Sequence, residues 1–224
     1  MKPAKTYEEQ LEILIRRGLY VNDNKRAIQK LSNVNYYNLT GYLFQFKDSE
    51  GNYSEGVSFE QGLALYNFDR EIHSFLSSVL TEIEQSLKTK LAYSIAMSFP
   101  EESCIYEQES FFRDKEDHQR FMSEFKKSVR QNNRVDFVKH HINKYDEHFP
   151  IWVAVQLFTL GNIKVLYSNS PAKVRKAVSK IYGVSPIIMD SWINCVRILR
   201  NLTAHNMRLY GCLLYTSDAA DDMQ

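Results

Sequence analysis

The sequence is poor in the residues that build several common kinds of functional site. Its eight glycines are scattered over 224 residues, so neither a P-loop nor a dinucleotide-binding fingerprint can be drawn. Cys104, Cys195 and Cys212 are odd in number and far apart, which argues against a disulfide framework and points to a reducing compartment. His140, His141 and His148 match no zinc-site spacing. We therefore expect no metal and no cofactor.

Long apolar runs and a surplus of charge are also missing. No apolar signal core follows the N-terminal residues, and no run of residues approaches the length that spans a bilayer. We therefore expect a soluble, cytoplasmic protein without a membrane partner. The net charge of +1 gives no global attraction for nucleic acid, so any RNA binding has to come from a local patch.

Helical periodicity dominates what remains, and it predicts an all-α helical bundle. The longest pattern covers residues 58–97, which contain no proline. A shorter helix is expected over residues 151–160, and the last one from Pro186 to about Arg208. Residues 99–150 are more charged, and we interpret them as a peripheral helical insertion in a single domain that covers residues 1–211.

An aromatic cluster lies between residues 35 and 46, with five rings that are close together in the sequence. They are Tyr36, Tyr37, Tyr42, Phe44 and Phe46. Such rings can stack on RNA bases, since every base has a flat face. Their helical spacing and the small number of basic residues among them favour packing against the bundle instead.

The most informative pattern lies near the C-terminus of the last predicted helix. On a helical wheel, Arg197, Arg200, Asn201, His205 and Arg208 fall within an arc of roughly 140° opposite the apolar side. A solvated basic face explains this arc about as well as a functional site does. However, few Lys or Glu residues join the arc, and a merely solvated face usually mixes the two signs of charge.

An arginine and a histidine at this spacing suit the cleavage of RNA without a metal. RNA carries its own nucleophile in the ribose 2′-hydroxyl group. Histidine has an ordinary pKa near neutrality and can move the proton. The guanidinium group forms paired hydrogen bonds to phosphate as negative charge builds up. Asn201 can orient the imidazole or the substrate.

These residues resemble the motif of the HEPN superfamily, whose ribonucleases carry Arg, four to six residues, and then His. The wider resemblance is to the Abi-like abortive-infection family (AbiD/AbiF group). It rests on segments in the same order along the chain: residues 2–3 (KP), Gln10, 17–19 (RGL), 36–42 (YYNLTGY), 65–70 (LYNFDR), 150–153 (PIWV), 158–162 (FTLGN) and 200–210 (RNLTAHNMRLY). The last segment is the most specific.

The resemblance implies an all-helical homodimer that acts on RNA as a toxin or phage-defence effector, in some members beside a small noncoding RNA. Arg200 and His205 are then the catalytic pair, with Asn201 in support. From the wheel we add Arg197 and Arg208 as substrate contacts. The alternative is a non-catalytic HEPN-type module that binds RNA or protein. Residues 212–224 look like translated sequencing-adapter read-through, so we expect a non-native tail there.

Overall fold

The computed structural model describes residues 3–211, and within that range the chain is α-helical. Its helices are α1 (Tyr7–Arg16), α2 (Asn24–Asn33), α3 (Tyr36–Leu43), α4 (Phe59–Ser98), α5 (Lys115–Gln131), α6 (Asp136–Tyr145), α7 (Ile151–Ala154), α8 (Leu160–Asn169), α9 (Ala172–Ile181) and α10 (Pro186–Ala204). The predicted all-α fold is confirmed. The expected tail, residues 212–224, lies outside the described residues.

The described residues divide into two compact units. Unit 1 holds residues 3–76 and 202–211, and unit 2 holds residues 77–201. Helices α4 and α10 contribute residues to both units, because the boundaries fall inside them. A single domain over residues 1–211 stays a prediction. Across residues 3–211, no helix combines the length and the apolar character that crossing a membrane requires.

Unit 1 is built around the first three helices and the start of α4. A capping box begins α1, in which the Thr6 hydroxyl accepts from Glu9 N at 3.2 Å and the Glu9 carboxylate accepts from Thr6 N at 2.8 Å. Gly62 allows α4 to approach α3 closely, since a Cβ atom there would lie 2.8 Å from Cγ of Leu43. The backbone of α4 therefore packs directly on a buried leucine.

Unit 2 has the larger core, and aromatic rings fill much of it. Tyr106 packs edge-on against Phe121, Phe125 and Phe158, with centroid distances of 5.7–6.2 Å. Its hydroxyl donates to the carbonyl of Phe149 at 2.8 Å. Residues from the segment 99–150, which the sequence predicts to be an insertion, thus share one core with the helices that follow.

The prediction of one helix over residues 151–160 is wrong. Helix α7 ends at Ala154, and α8 begins at Leu160, so Gly161 lies in the first turn of a helix and does not end one. The cause is a second capping box. The Thr159 hydroxyl accepts from Asn162 N at 3.1 Å, and the Asn162 side chain accepts from Thr159 N at 3.0 Å.

A buried carboxylate joins three segments of unit 1. Asp69 on α4 is 1% exposed. It accepts the hydroxyl of Tyr42 at 2.6 Å, and it accepts the backbone N–H groups of Leu209 at 3.2 Å and Tyr210 at 2.7 Å. Burial, together with the bond to Asp69, raises the pKa of Tyr42 far above its usual range. Asp69 thus fixes the chain that leaves α10 against α3 and α4.

We predict that Asp69→Ala lowers the free energy of unfolding by roughly 2–4 kcal/mol, because it leaves a buried hydroxyl and two backbone donors without their acceptor. Urea unfolding followed by circular dichroism measures the change. Glu71→Ala is the matched control, since Glu71 is an exposed acid on the same helix. Equal stability of the two variants would contradict the role given to Asp69.

Candidate active site

The last helix ends earlier than the sequence predicts, and this divides the predicted site residues into two groups. Arg197, Arg200 and Asn201 lie on α10, which ends at Ala204. His205 and Arg208 lie beyond the helix, so the prediction that it runs to about Arg208 is wrong. Arg200 and Asn201 belong to unit 2, whereas His205 and Arg208 belong to unit 1.

A Schellman motif ends α10 at this point. Asn206 has a φ of +50°, which is the left-handed conformation. The Met207 N–H group donates to the Leu202 carbonyl at 2.9 Å, and the Asn206 N–H group donates to the Thr203 carbonyl at 3.2 Å. Asparagine and aspartate adopt this conformation more readily than other residues that carry a side chain. His205 is therefore the C-cap residue of the helix.

The helical wheel consequently misplaces Arg208. Its side chain does not continue the polar arc of α10 but turns towards α3, where Nη1 donates to the carbonyl of Gly41. The guanidinium carbon lies 5.9 Å from the centroid of the Tyr42 ring. The position of Arg208 follows from Asp69, because the Asp69 carboxylate accepts hydrogen bonds from the backbone N–H groups of the next two residues.

Arg200 has a carboxylate partner in unit 2. Its Nε atom lies 3.6 Å from Oε2 of Glu84, and its side chain is 47% exposed. Glu84 also contacts Nζ of Lys88 at 2.8 Å. The ion pair with Lys88 is not a surface pair, since Lys88 is buried. Two cations share one carboxylate, so this group of three residues keeps a net positive charge.

The contact with Glu84 gives the guanidinium group of Arg200 a charged neighbour on one side. Arginine has five N–H donors in a planar fork, and the contact of Arg200 with Glu84 is made at Nε. The side chain of Arg200 is about half exposed, so part of it is open to solvent. Glu84 and Lys88 were not predicted as site residues, since four-residue spacing on a helix is typical of ordinary ion pairs.

Arg197 and Asn201 stand in different surroundings on the same helix. Arg197 is half-buried, and its Nε and Nη2 atoms donate to Oδ1 of Asn194 at 3.2 and 2.8 Å. The amide fixes its direction but leaves its charge uncompensated. Asn201 is exposed, as are His205 and Arg208. Each of the predicted catalytic side chains is therefore open to solvent.

Two other histidines are structural. His73 is buried in unit 1, where Nδ1 lies 3.3 Å from the Thr203 carbonyl and Nε2 lies 3.5 Å from the Asp69 carboxylate. It therefore supports the turn just before His205. His118 is buried in unit 2, and its Nε2 atom lies 3.0 Å from the carbonyl of Glu107.

A cluster of possible metal ligands in unit 2 was not predicted. Ligand atoms of Cys104, Glu107 and His148 lie within 4.8 Å of one another, although the sequence gives no cysteine near His148. The carboxylate and the imidazole already bond to each other at 2.7 Å. Burial raises the pKa of the Cys104 thiol, which disfavours the thiolate form that binds metals. We assign this cluster no function.

Comparison with known proteins gives one finding about the family. A family model described as "Abi-like protein" matches residues 29–211. No curated protein and no solved structure matches the chain. The matched range contains all five predicted site residues, and it also contains Asp69 and Glu84.

We predict that Asn206→Ala lowers the free energy of unfolding by about 1 kcal/mol, since a Cβ-bearing residue other than Asn or Asp is strained at this φ. Asn206→Gly, the matched control, is expected to be neutral or slightly stabilising. Chemical denaturation of the three proteins measures the difference. If the alanine and glycine variants are equally stable, the left-handed C-terminal cap is not what ends α10.

Proposed function

The chain belongs to the Abi-like protein family, and from this premise we propose that it is a metal-independent endoribonuclease of a bacterial abortive-infection system. Membership of the family suggests a part in defence against phage. The observation that carries the finer proposal is the arginine–histidine pair itself. Arg200, which contacts Glu84, and His205, the C-cap of α10, are five residues apart in the sequence, and each is exposed.

The proposed reaction is an attack of the ribose 2′-hydroxyl on the neighbouring phosphate. The 2′ oxygen forms a bond to phosphorus as its proton leaves, and the bond to the 5′ oxygen breaks. The products are a 2′,3′-cyclic phosphate and a free 5′-hydroxyl group. The reaction needs no water and no oxidant, so it fits a site built from acid–base and cationic groups alone.

In this proposal His205 transfers protons and Arg200 stabilises charge. Histidine is the side chain whose ordinary pKa lies near neutral pH. The terminal nitrogens of Arg200 can donate two parallel hydrogen bonds to phosphate oxygens. Glu84 is a positioning residue, because it contacts Nε of Arg200 and not the substrate. Asn201 supports the substrate or the imidazole, and Arg197 adds positive charge on the same helix.

A second copy of the chain completes the site in this proposal. The reaction requires removal of one proton and delivery of another, and each motif contains one histidine. Two motifs in a homodimer supply one proton-transfer group for each step. The RNA substrate, and a small noncoding RNA that accompanies some relatives, are the proposed nucleic-acid partners.

We predict that His205→Ala and Arg200→Ala each reduce RNA cleavage by roughly 100-fold or more, because each removes a group that acts in the transition state. The assay uses purified protein and single-stranded RNA in the presence of EDTA, with growth on induced expression measured in parallel. His140→Ala is the matched control, since His140 is an exposed histidine of unit 2.

Full activity of His205→Ala would refute the proposed mechanism, whereas no cleavage by the unmodified protein would leave a non-catalytic binding module. The same assay tests the dimer. An excess of inactive His205→Ala copies is expected to suppress cleavage by the unmodified protein, because mixed dimers carry a defective site. An unchanged rate would mean that one chain is sufficient.

A further inference from the structure

The aromatic cluster of residues 35–46 is divided in the structure. Tyr42 is buried, as are Leu39 and Leu43 between the rings. Tyr37 and Phe44, in contrast, are 79% and 72% exposed. The expectation that the cluster packs against the bundle holds for Tyr42 and is wrong for these two rings. Large exposed aromatic side chains stand out because burial would stabilise them.

The two exposed rings line a groove within unit 1. Its volume is about 370 Å³, which lies in the range of small-ligand sites. Tyr36 lies beside Tyr37 in its wall, with the two ring planes at 89° and their centroids 5.4 Å apart. The charged side chains of the lining are Arg17, Lys47 and Arg208. No carboxylate is among the lining residues.

The three cations are not neutralised by the described residues. Within residues 3–211, no carboxylate forms an ion pair with any of them. Burial lowers the pKa of Lys47, and the positive charge of Arg17 lowers it further. Arg17 and Lys47 line the same groove, so their like charges repel each other there. A bound anion would relieve that repulsion, so the groove is electrostatically prepared for a negatively charged ligand.

A second cavity extends the groove along the surface of unit 1. It has a volume of about 510 Å³ and shares Arg17, Tyr36 and Tyr37 with the first. It adds to the lining Lys5, whose ammonium group is paired with the Glu9 carboxylate at 3.0 Å. Two cavities that meet at one arginine and two rings suit a chain of repeating anionic units better than a single small anion.

Arg208 links the groove to the proposed catalytic histidine. It lies in the groove wall, and it follows His205 by three residues in the same unit. Three residues span at most about 11 Å even when fully extended. Asp69 holds the backbone that follows Arg208, so this short connection is fixed. The Cα atom of His205 therefore lies within about 11 Å of the Cα atom of Arg208 in the groove wall.

We propose that this groove binds single-stranded RNA, with bases stacked on Tyr37 and Phe44 and phosphates held by Arg17, Lys47 and Arg208. Protein folds that bind single-stranded nucleic acid with little sequence preference combine flat aromatic side chains with cations in the same way. The inference rests on the proposed function in one respect, which is that the ligand is RNA. It goes further by assigning RNA binding to residues outside the arginine–histidine motif.

The test measures binding without cleavage. The parent protein carries His205→Ala, and the probe is a fluorescein-labelled oligouridylate of roughly 12 nucleotides, a length within the site sizes of single-strand-binding folds. Fluorescence anisotropy gives Kd. Adding Tyr37→Ala or Phe44→Ala is expected to raise Kd roughly 5- to 100-fold. Adding Lys47→Ala is expected to lower the slope of log affinity against log salt by about 0.7.

The matched control is Phe75→Ala, because Phe75 is an equally exposed ring of unit 1 that does not line the groove. It is expected to leave Kd within about twofold of the parent's value. The inference is overturned if the groove variants bind like this control. It is also overturned if only Lys47→Ala weakens binding, or if polyglutamate displaces the probe as well as unlabelled oligouridylate does, since the groove would then be a general anion site.

The outcomes separate this inference from the proposed nuclease. Groove-dependent binding with no cleavage by the unmodified protein would support the groove and refute the nuclease. Cleavage that depends on His205 but not on Tyr37 or Phe44, together with unchanged binding, would support the nuclease and refute the groove. Melting temperatures of all variants show whether each is folded, and the exposure of both rings makes their removal mild for stability.

Discussion

The bonds accepted by the Asp69 carboxylate are the constraint on which the rest of unit 1 depends. A fully buried charge is tolerated only where several donors compensate its lost hydration. Here the donors come from Tyr42 on α3 and from the backbone after α10. Because those segments are distant in sequence, one side chain determines where the chain runs after His205 and where Arg208 points.

This constraint joins three of the segments on which the family resemblance rests. Residues 36–42, 65–70 and 200–210 supply Tyr42, Asp69 and the two backbone donors, respectively. Each segment alone is weak evidence of kinship. Together they form one buried network, so a change in one alters the requirements on the others. The catalytic proposal depends on the same network, since it fixes the segment that carries the histidine and the groove arginine.

Helices were predictable from this sequence, whereas their ends and side-chain partners were less so. The periodicity of residues 58–97 predicts α4 almost to the residue. The wheel failed after Ala204 because it continues a helix that Asn206 ends, although asparagine after a helix is itself a signal. Glu84 and the groove could not be predicted, since both depend on which helices meet. Exposure of Tyr37 and Phe44 likewise depends on which face of α3 the core covers.

The most direct test of the central claim, metal-independent attack by the 2′-hydroxyl, compares two RNAs that differ in one atom. One is a single-stranded RNA with a mapped cleavage site, and the other has a 2′-deoxy nucleotide on the 5′ side of that scissile phosphate. The account predicts that, in EDTA, only the first is cut there and that its product ends in a 2′,3′-cyclic phosphate. Equal cleavage of both RNAs, or cleavage abolished by EDTA, would contradict it.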